Sequence, residues 1–215
     1  VMIGTNLSEA YLRDANLSEA QLIFANLNQS DMLGTNLTAV HAINFEGCPY
    51  MLPEDWQCMG GNLVGPYANL GDANLSNQNL SFAKLSFSNL AEANLSNSIL
   101  NGADMRFVSG RVNLDNANLS NVDLRNSSLG GSSLNHAILS KSDLRNSGLF
   151  NTDLAYADLS YADLRGAVLS FSNLSNANLF SCNLNDANLR LTNLGYANLS
   201  HAVLERAYLV ENDLR

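Results

Sequence analysis

The side chains best suited to catalysis or metal binding are few and far apart in this sequence. Histidine occurs only as His41, His136 and His201, and these spacings match no metal-binding motif. Serine is abundant, but a serine nucleophile needs a base within hydrogen-bond reach. The sequence also contains no GxSxG elbow and no glycine-rich phosphate loop. We therefore predict that the chain is not an enzyme and that it binds no metal or other cofactor.

The cysteines leave the redox compartment open. Cys48 and Cys58 flank a short loop and are candidates for a disulfide bond, whereas Cys182 lies two residues before Leu184 and is expected to be a buried thiol. Without knowledge of that bond, cytoplasmic and extracytoplasmic locations both remain open. A disulfide between Cys48 and Cys58 would favour an extracytoplasmic location.

A five-residue repeat determines how all of these side chains are positioned. From Leu114 to Leu214 a leucine recurs at every fifth position, which makes an unbroken run of twenty-one. In an α-helix, steps of five would spread these leucines around the cylinder, and in a strand they would alternate between the two faces. The chain must instead turn a corner once per repeat, so that each leucine points towards a common axis. This pattern predicts a solenoid with one side per repeat.

The repeat motif Ala-(Asn/Asp)-Leu-x-x, found at residues 15–19, 73–77 and 162–166, resembles the bacterial pentapeptide-repeat family. The resemblance implies an all-β fold, the right-handed quadrilateral β-helix, with four repeats per coil and the leucines inside. Recurrence of Asp and Arg at intervals of twenty residues, as in Asp143 and Asp163, supports four sides. Thirty-seven repeat centres then give about nine coils. The predicted core includes Leu119, Leu139, Leu159, Leu179 and Leu199.

We predict one domain over residues 1–215, with two interruptions of the repeat. Residues 38–67 form a non-repeat insertion that holds all three prolines and the only tryptophan. Within it, Gly60-Gly61 suits a two-residue turn, which predicts a β-hairpin. Residues 106–113 form a register slip, because nine residues separate Met105 from Leu114 where ten would keep the phase. Gly110 is the residue expected to absorb this slip.

The charge distribution argues against direct nucleic-acid binding. The net charge is −9, and residues 1–110 account for −7 of it, so the clustered lysines and arginines that phosphate binding requires are missing. No apolar stretch approaches the roughly 18 residues needed to span a membrane. The chain begins and ends inside repeats, which indicates either a piece of a longer protein or an end face that mediates end-to-end self-association.

Exposed apolar side chains are the best guide to a binding surface, because contiguous apolar patches on a soluble rod often mark interfaces. The candidates for an interaction surface are Trp56, Leu63, Phe82, Phe87, Tyr156, Tyr161, Phe171 and Tyr196. We predict a non-catalytic scaffold that binds a protein partner, with the hairpin around Trp56 as the partner-specific element.

Two other functions remain open. The family resemblance also permits a second function, in which an acidic rod imitates DNA and binds a DNA-handling enzyme such as a type II topoisomerase. Against this, Asp123, Asp143 and Asp163 are each followed two residues later by an arginine, which neutralises the acidic column. The second alternative is a structural spacer within a longer chain.

Overall fold

The computed structural model describes residues 1–212, and its regular part is built from one corner repeated along the chain. At a typical corner the Ala157 amide donates to the Leu154 carbonyl at 3.1 Å, which closes a four-residue β-turn. The third residue of that turn, Tyr156, has φ of 59°, the positive value that a type II turn requires at this position. Each five-residue repeat therefore bends the chain once.

Positive φ at non-glycine corners is costly in isolation, and hydrogen bonds between coils offset the cost. The Tyr156 amide, for example, donates to the Ser175 carbonyl at 3.0 Å. The inward leucine on the next side behaves in the same way, since the Leu159 amide donates to the Asn178 carbonyl at 2.8 Å. Backbone hydrogen bonds of this kind join successive coils along the solenoid.

Parallel bridges between residues twenty apart stack the coils, as in Asp123 to Asp143 and Asp143 to Asp163. Because a repeat has five residues, this spacing gives four sides per coil. The product is an all-β solenoid, and residues 1–212 contain no helix. In consequence, this part of the chain offers no helix that is long and apolar enough to cross a membrane.

The core is a column of inward leucines beside a column of small residues. The predicted core residues Leu119, Leu139, Leu159 and Leu179 are fully buried. Leu199 is only half-buried, which corrects its prediction as a core residue: among residues 1–212, no following coil covers its side chain. The final repeat centre, Leu214, lies outside the described residues.

Most small polar groups in the core are hydrogen-bonded, although the buried Ser127 hydroxyl has no partner among the described residues. The buried Ser172 hydroxyl donates to the Leu149 carbonyl at 2.6 Å, and the Thr192 hydroxyl donates to the Leu169 carbonyl at 2.9 Å. Cys182 occupies the same kind of position, where burial raises the pKa of its thiol to about 12. The thiol therefore stays protonated and acts as a small apolar group.

The two strands of the structure form an antiparallel hairpin, β1 (Gln57–Met59) and β2 (Asn62–Val64). Gly60 and Gly61 make its turn with φ of 55° and 73°, as a two-residue turn with positive φ at both positions requires. Repeat bridges also continue to Glu46 and Met51, inside the segment predicted as an insertion. The irregular part therefore begins later than residue 38.

The coil that contains the hairpin is longer than the others. The Asn69 amide donates to the Val40 carbonyl at 2.9 Å, so twenty-nine residues separate the donor from the acceptor. In a regular coil this separation is twenty-one residues, as in the hydrogen bond from the His41 amide to the Ala20 carbonyl. A disulfide joins Cys48 to Cys58 with a Cα–Cα distance of 6.0 Å. It ties the loop to β1 and so restrains the extra residues.

One coil is shorter than the others. The bridge spacing falls from twenty residues, as in Asn89 to Ser109, to nineteen, as in Asn94 to Asn113. Gly110 lies at this point with φ of 121°. Its amide donates to the Ser128 carbonyl of the next coil, as the amide of the inward Leu90 donates to the Ser109 carbonyl. A Cβ at Gly110 would collide with the backbone of Ala91. Glycine thus replaces an inward leucine where the coil is one residue short.

Candidate protein-interaction surfaces

Corner residues one coil apart lie next to each other, and in one place this aligns three aromatic rings. We call Tyr67, Phe87 and Phe107 the aromatic column. The ring centroids of Tyr67 and Phe87 are 4.8 Å apart and those of Phe87 and Phe107 are 4.6 Å apart, with interplanar angles of 4° and 5°. The three side chains are 49%, 46% and 43% exposed. The column is therefore a contiguous aromatic surface.

The backbone explains why these rings stack. All three residues are corners with nearly equal φ, between 57° and 63°, so their side chains leave the backbone in the same direction. Successive coils are spaced by about 4.8 Å, as in any β-sheet, and this spacing suits stacked aromatic rings. The solenoid thus holds the rings in place before any partner binds.

Other outward-facing aromatic side chains are grouped in smaller sets. His136 stacks on Tyr156 with centroids 4.8 Å apart. Phe180 makes edge contacts with Tyr161 at 5.5 Å and with His201 at 5.2 Å. These two clusters place the predicted surface residues Tyr156 and Tyr161 beside histidine and phenylalanine neighbours.

The remaining predicted surface aromatics are more isolated. The Phe82 ring lies over Gly102 of the next coil, where an added Cβ would be 2.6 Å from a ring carbon. The Arg190 guanidinium sits 5.9 Å from the centre of the Phe171 ring. Tyr196 is 83% exposed. These residues are accessible but do not form one continuous patch.

Leu63 and Trp56 differ from their predicted role as surface residues. Leu63 is 1% exposed, and its amide donates to the Ala42 carbonyl at 3.0 Å. Trp56 is half-buried against Gly65, where a Cβ would overlap the indole, and it packs against both halves of the core. The hairpin was predicted as the partner-specific element, but its apolar side chains fill the core where the longer coil lacks regular leucines.

Sequence reasoning missed two members of the aromatic column. Tyr67 lies in the segment predicted as an insertion, and Phe107 lies in the predicted register slip, so neither was assigned to a corner. Their spacing of twenty residues from Phe87 is the signal that identifies them. That spacing is the one that the bridges use to stack successive coils.

A charged surface lies on the same side of the solenoid as the aromatic column, because Asp104 and Arg106 belong to the repeat that ends at the Phe107 corner. We call it the Asp–Arg ladder, and it consists of Asp104, Arg106, Asp123, Arg125, Asp143, Arg145, Asp163 and Arg165. Within one coil, Arg125 donates to Asp123 with a closest contact of 2.7 Å. Between coils, Arg125 lies 3.5 Å from Asp143. Arg106, Arg125 and Arg145 therefore each contact two carboxylates. The four arginines of the ladder balance the charge of its four aspartates.

The ladder shifts the pKa values of its carboxyl groups. The hydrogen bond from Arg106 lowers the pKa of Asp104, despite partial burial of the carboxyl group. Burial alone would raise the pKa of Asp143, but hydrogen bonds from the Arg145 side chain and backbone outweigh it, so this pKa is lowered as well. Both carboxylates therefore stay charged at neutral pH and remain bonded to arginine.

Among residues 1–212, no three His, Cys, Asp or Glu side chains come together in a group that would hold a metal ion. His41, for example, is engaged with the Gln21 side chain at 3.1 Å and with the Gly71 carbonyl at 3.1 Å.

Several solved structures resemble the chain. HetL, a pentapeptide repeat protein involved in heterocyst differentiation regulation in the cyanobacterium Nostoc sp. strain PCC 7120, is 28% identical over 97% of this chain and 88% of its own, with a TM-score of 0.43. QnrB1, a plasmid-mediated fluoroquinolone resistance protein, is 16% identical over 97% of this chain and 88% of its own, with a TM-score of 0.34.

A third solved structure covers less of the chain. A pentapeptide repeat protein of the Arabidopsis thaliana thylakoid lumen is 22% identical over 62% of each chain, with a TM-score of 0.25. No curated protein sequence matches the chain.

The family assignment rests on the repeats themselves. The sequence model for pentapeptide repeats matches residues 2–41, 68–107, 111–147, 149–186 and 187–215, with eight copies. These ranges leave out 42–67, which contains the hairpin, and they break at 108–110, which contains the slip. The stacked corners of the structure agree with the same repeat. The chain therefore belongs to the pentapeptide repeat family.

Proposed function

We propose that this protein is a non-catalytic scaffold that binds a protein partner through its exposed aromatic corners. The observation that carries the proposal is the aromatic column of Tyr67, Phe87 and Phe107, whose rings stack while staying about half exposed. Aromatic side chains are enriched at protein interfaces and dominate their binding energy. Rings that are already ordered lose little conformational entropy on binding, which favours affinity.

The proposal includes the shape of the scaffold. We propose a right-handed path with about nine coils, which gives a slim rod whose corners are displayed at regular intervals. Repeat solenoids of this kind commonly bind partners along an extended face. The aromatic column spans three successive coils, and a partner lying along the rod axis would contact all of its rings.

The proposed partner is a protein rather than a nucleic acid, since the chain carries a net charge of −9 and phosphate backbones require clustered positive charge. A DNA-mimic function has less support, because the aspartates of the Asp–Arg ladder are bonded to arginines, for example Asp163 to Arg165. A spacer function does not account for aromatic rings that are stacked in the open.

We also propose an oxidising, extracytoplasmic compartment. The support is the Cys48–Cys58 disulfide, because such bonds persist mainly in secreted and other extracytoplasmic proteins.

The scaffold proposal is tested by capture with matched surface variants. The double variant Phe87→Asn/Phe107→Asn removes two rings of the column, and asparagine is tolerated at corners, as Asn126 shows with φ of 58°. Phe82→Asn removes an exposed ring from a different corner and serves as the control. The immobilised proteins are incubated with an extract of the source organism, and bound proteins are quantified by mass spectrometry.

Proteins bound through the column are expected to be retained by the wild type and by Phe82→Asn, and to fall at least about tenfold on the double variant, a loss of about 1.4 kcal/mol. Equal retention by all three proteins would contradict the proposal. A supercoiling assay with a type II topoisomerase distinguishes the scaffold from a DNA mimic. A DNA mimic would inhibit the enzyme at stoichiometric amounts, whereas the scaffold proposal expects no inhibition.

A further inference from the structure

The aromatic column stops at an open cavity. The corner before Tyr67 in the stack is Ala39, whose amide donates to the Tyr67 carbonyl at 2.9 Å. Ala39 presents only a methyl group, so the stack of rings does not continue past Tyr67 in this direction. An open cavity of about 320 Å³ runs along this corner and is lined by residues of three successive coils, namely Thr38 and Ala39, Tyr67 to Asn69, and Phe87 with Asn89.

Corner side chains lean towards the following coil, and this places the open space against the Tyr67 ring. The Phe82 ring covers Gly102 of the next coil, with an added Cβ 2.6 Å from a ring carbon, and the Asp14 carboxylate covers Gly34 in the same way. A larger side chain at Ala39 would therefore lean towards Tyr67. The missing side chain leaves a slot for one planar group stacked on that ring.

The corner on the other side of the slot carries an acidic residue. Glu19 occupies the same corner one coil before Ala39, since the Glu19 amide donates to the Thr38 carbonyl at 2.8 Å. The common lean of corner side chains directs Glu19 towards the level of Ala39. Glu19 is exposed, and within residues 1–212 it takes part in no salt bridge. The corner on one side of the slot thus carries an aromatic ring, and the corner on the other side carries an acidic residue.

We infer that this slot binds an arginine side chain of the protein partner. A guanidinium is planar and cationic, so it stacks on an aromatic face and also pairs with a carboxylate. A neutral aromatic side chain would stack on Tyr67 but would make no use of Glu19. A phosphate-bearing ligand would be repelled, because residues 1–110 carry a net charge of −7.

The protein itself makes the same kind of contact elsewhere on its surface. The Arg190 guanidinium lies 5.9 Å from the centre of the Phe171 ring, and the Arg13 guanidinium lies 5.7 Å from that of Tyr11. Arg13 is also bonded to the Asp31 carboxylate at 2.7 Å. The combination of ring, guanidinium and carboxylate therefore already fits this backbone.

The inference is tested with the intact chain and two capped peptides, acetyl-Gly-Arg-Gly-Arg-Gly-amide and its lysine counterpart. Binding is followed by NMR through the Ala39 methyl and Tyr67 ring signals. Tyr67→Asn removes the stacking face, Ala39→Tyr fills the slot from within, and Glu19→Gln removes the charge. Tyr196→Asn and Glu9→Gln are matched controls at other exposed corners.

The arginine peptide is expected to shift both signals and to bind at least about fivefold more tightly than the lysine peptide. Its dissociation constant should rise at least about fivefold in Tyr67→Asn and Ala39→Tyr and about threefold in Glu19→Gln. The two controls should leave it unchanged. Because Ala39→Tyr removes no wild-type contact, it tests the slot even if Tyr67→Asn perturbs the fold.

Absence of binding by the arginine peptide, equal binding of the lysine peptide, or undiminished binding by Ala39→Tyr would overturn the inference. The inference rests on the proposed scaffold function, but the two fail separately. If a partner depends on Phe87 and Phe107 while the arginine peptide does not bind, only the arginine slot is wrong. If the peptide binds at Ala39 while no partner depends on the column, only the scaffold proposal is wrong.

Discussion

The two irregular coils differ from the regular coils in opposite ways, since one contains extra residues and the other is one residue short. The coil that spans residues 40–69 has residues to spare and places them in a hairpin whose Leu63 fills the core. The coil around Gly110 is one residue short and gives up an inward leucine for a glycine with φ of 121°. The length of a coil can therefore vary, provided that the hydrogen bonds to neighbouring coils are kept. In a longer coil other apolar side chains must fill the interior, and in a shorter coil a smaller residue must replace an inward leucine.

The largest effect is expected at the short coil. In Gly110→Ala, the new Cβ meets the Ala91 backbone at a φ that L residues rarely adopt. We expect a loss of about 3–6 kcal/mol in the free energy of unfolding, measured by denaturant titration. Gly131→Asn is the control, since Gly131 has φ of 75° at a type of corner that asparagine often fills, and an added Cβ would make only an ordinary contact at 3.8 Å with the Arg111 side chain. A similar loss in both variants would show that Gly110 has no special role.

In the long coil, we expect the stability of the protein to depend on a buried side chain and not on an unusual backbone conformation. Leu63→Ala removes a side chain that is 1% exposed and is expected to cost about 2–5 kcal/mol. Tyr50→Ala, in the same segment but 69% exposed, should change stability little. Both are measured by thermal and denaturant unfolding. If Tyr50→Ala proved the more harmful change, Leu63 would not be the residue that closes this coil.

The disulfide should contribute less than the packing of Leu63. Replacement of Cys48 and Cys58 by serine opens a loop with a sequence separation of 10 and is expected to cost about 2–3 kcal/mol. Addition of a dithiol reductant to the wild type should lower its stability by a similar amount and leave the serine variant unchanged. Trp56 lies inside this loop, so its fluorescence reports the local change. A reductant effect of equal size in the serine variant would argue against this bond.

The smallest effect on stability is expected in the regular coils, where the ion pairs of the Asp–Arg ladder make stability depend on pH. The folded-state pKa values of Asp104 and Asp143 lie below the ordinary value of 3.8. Their stabilising contribution is therefore complete above pH 3.8 and is lost as the pH falls through the lowered folded-state values.

We expect Asp143→Asn to flatten the pH dependence of unfolding between about pH 5 and 2 and to cost less than about 1 kcal/mol at pH 7. Asp72→Asn, at an exposed corner without a salt bridge among residues 1–212, is the control. An identical pH profile for wild type and Asp143→Asn would exclude a stabilising role for the ladder.

Much of the fold could be predicted because the repeat is local and strict. The inward direction of Leu159 and the hairpin turn at Gly60-Gly61 both follow from short stretches of sequence. The candidate surface was harder. Leu63 was assigned to the surface because its burial depends on the Ala42 backbone, which is twenty-one residues away in the chain. Tyr67 and Phe107 were missed because their corners lie at breaks of the repeat.

The sequence by itself determined the period, the inward leucines, the acidic balance and the family, since each depends on residue type and short spacing alone. The tertiary structure alone decided which corners stack, because Tyr67, Phe87 and Phe107 meet only when successive coils align. It also decided that the hairpin fills the core and that Ala39 leaves an open slot beside a ring. The physical reason is that neighbours on adjacent coils are separated by a whole coil of chain and are joined only by hydrogen bonds between coils.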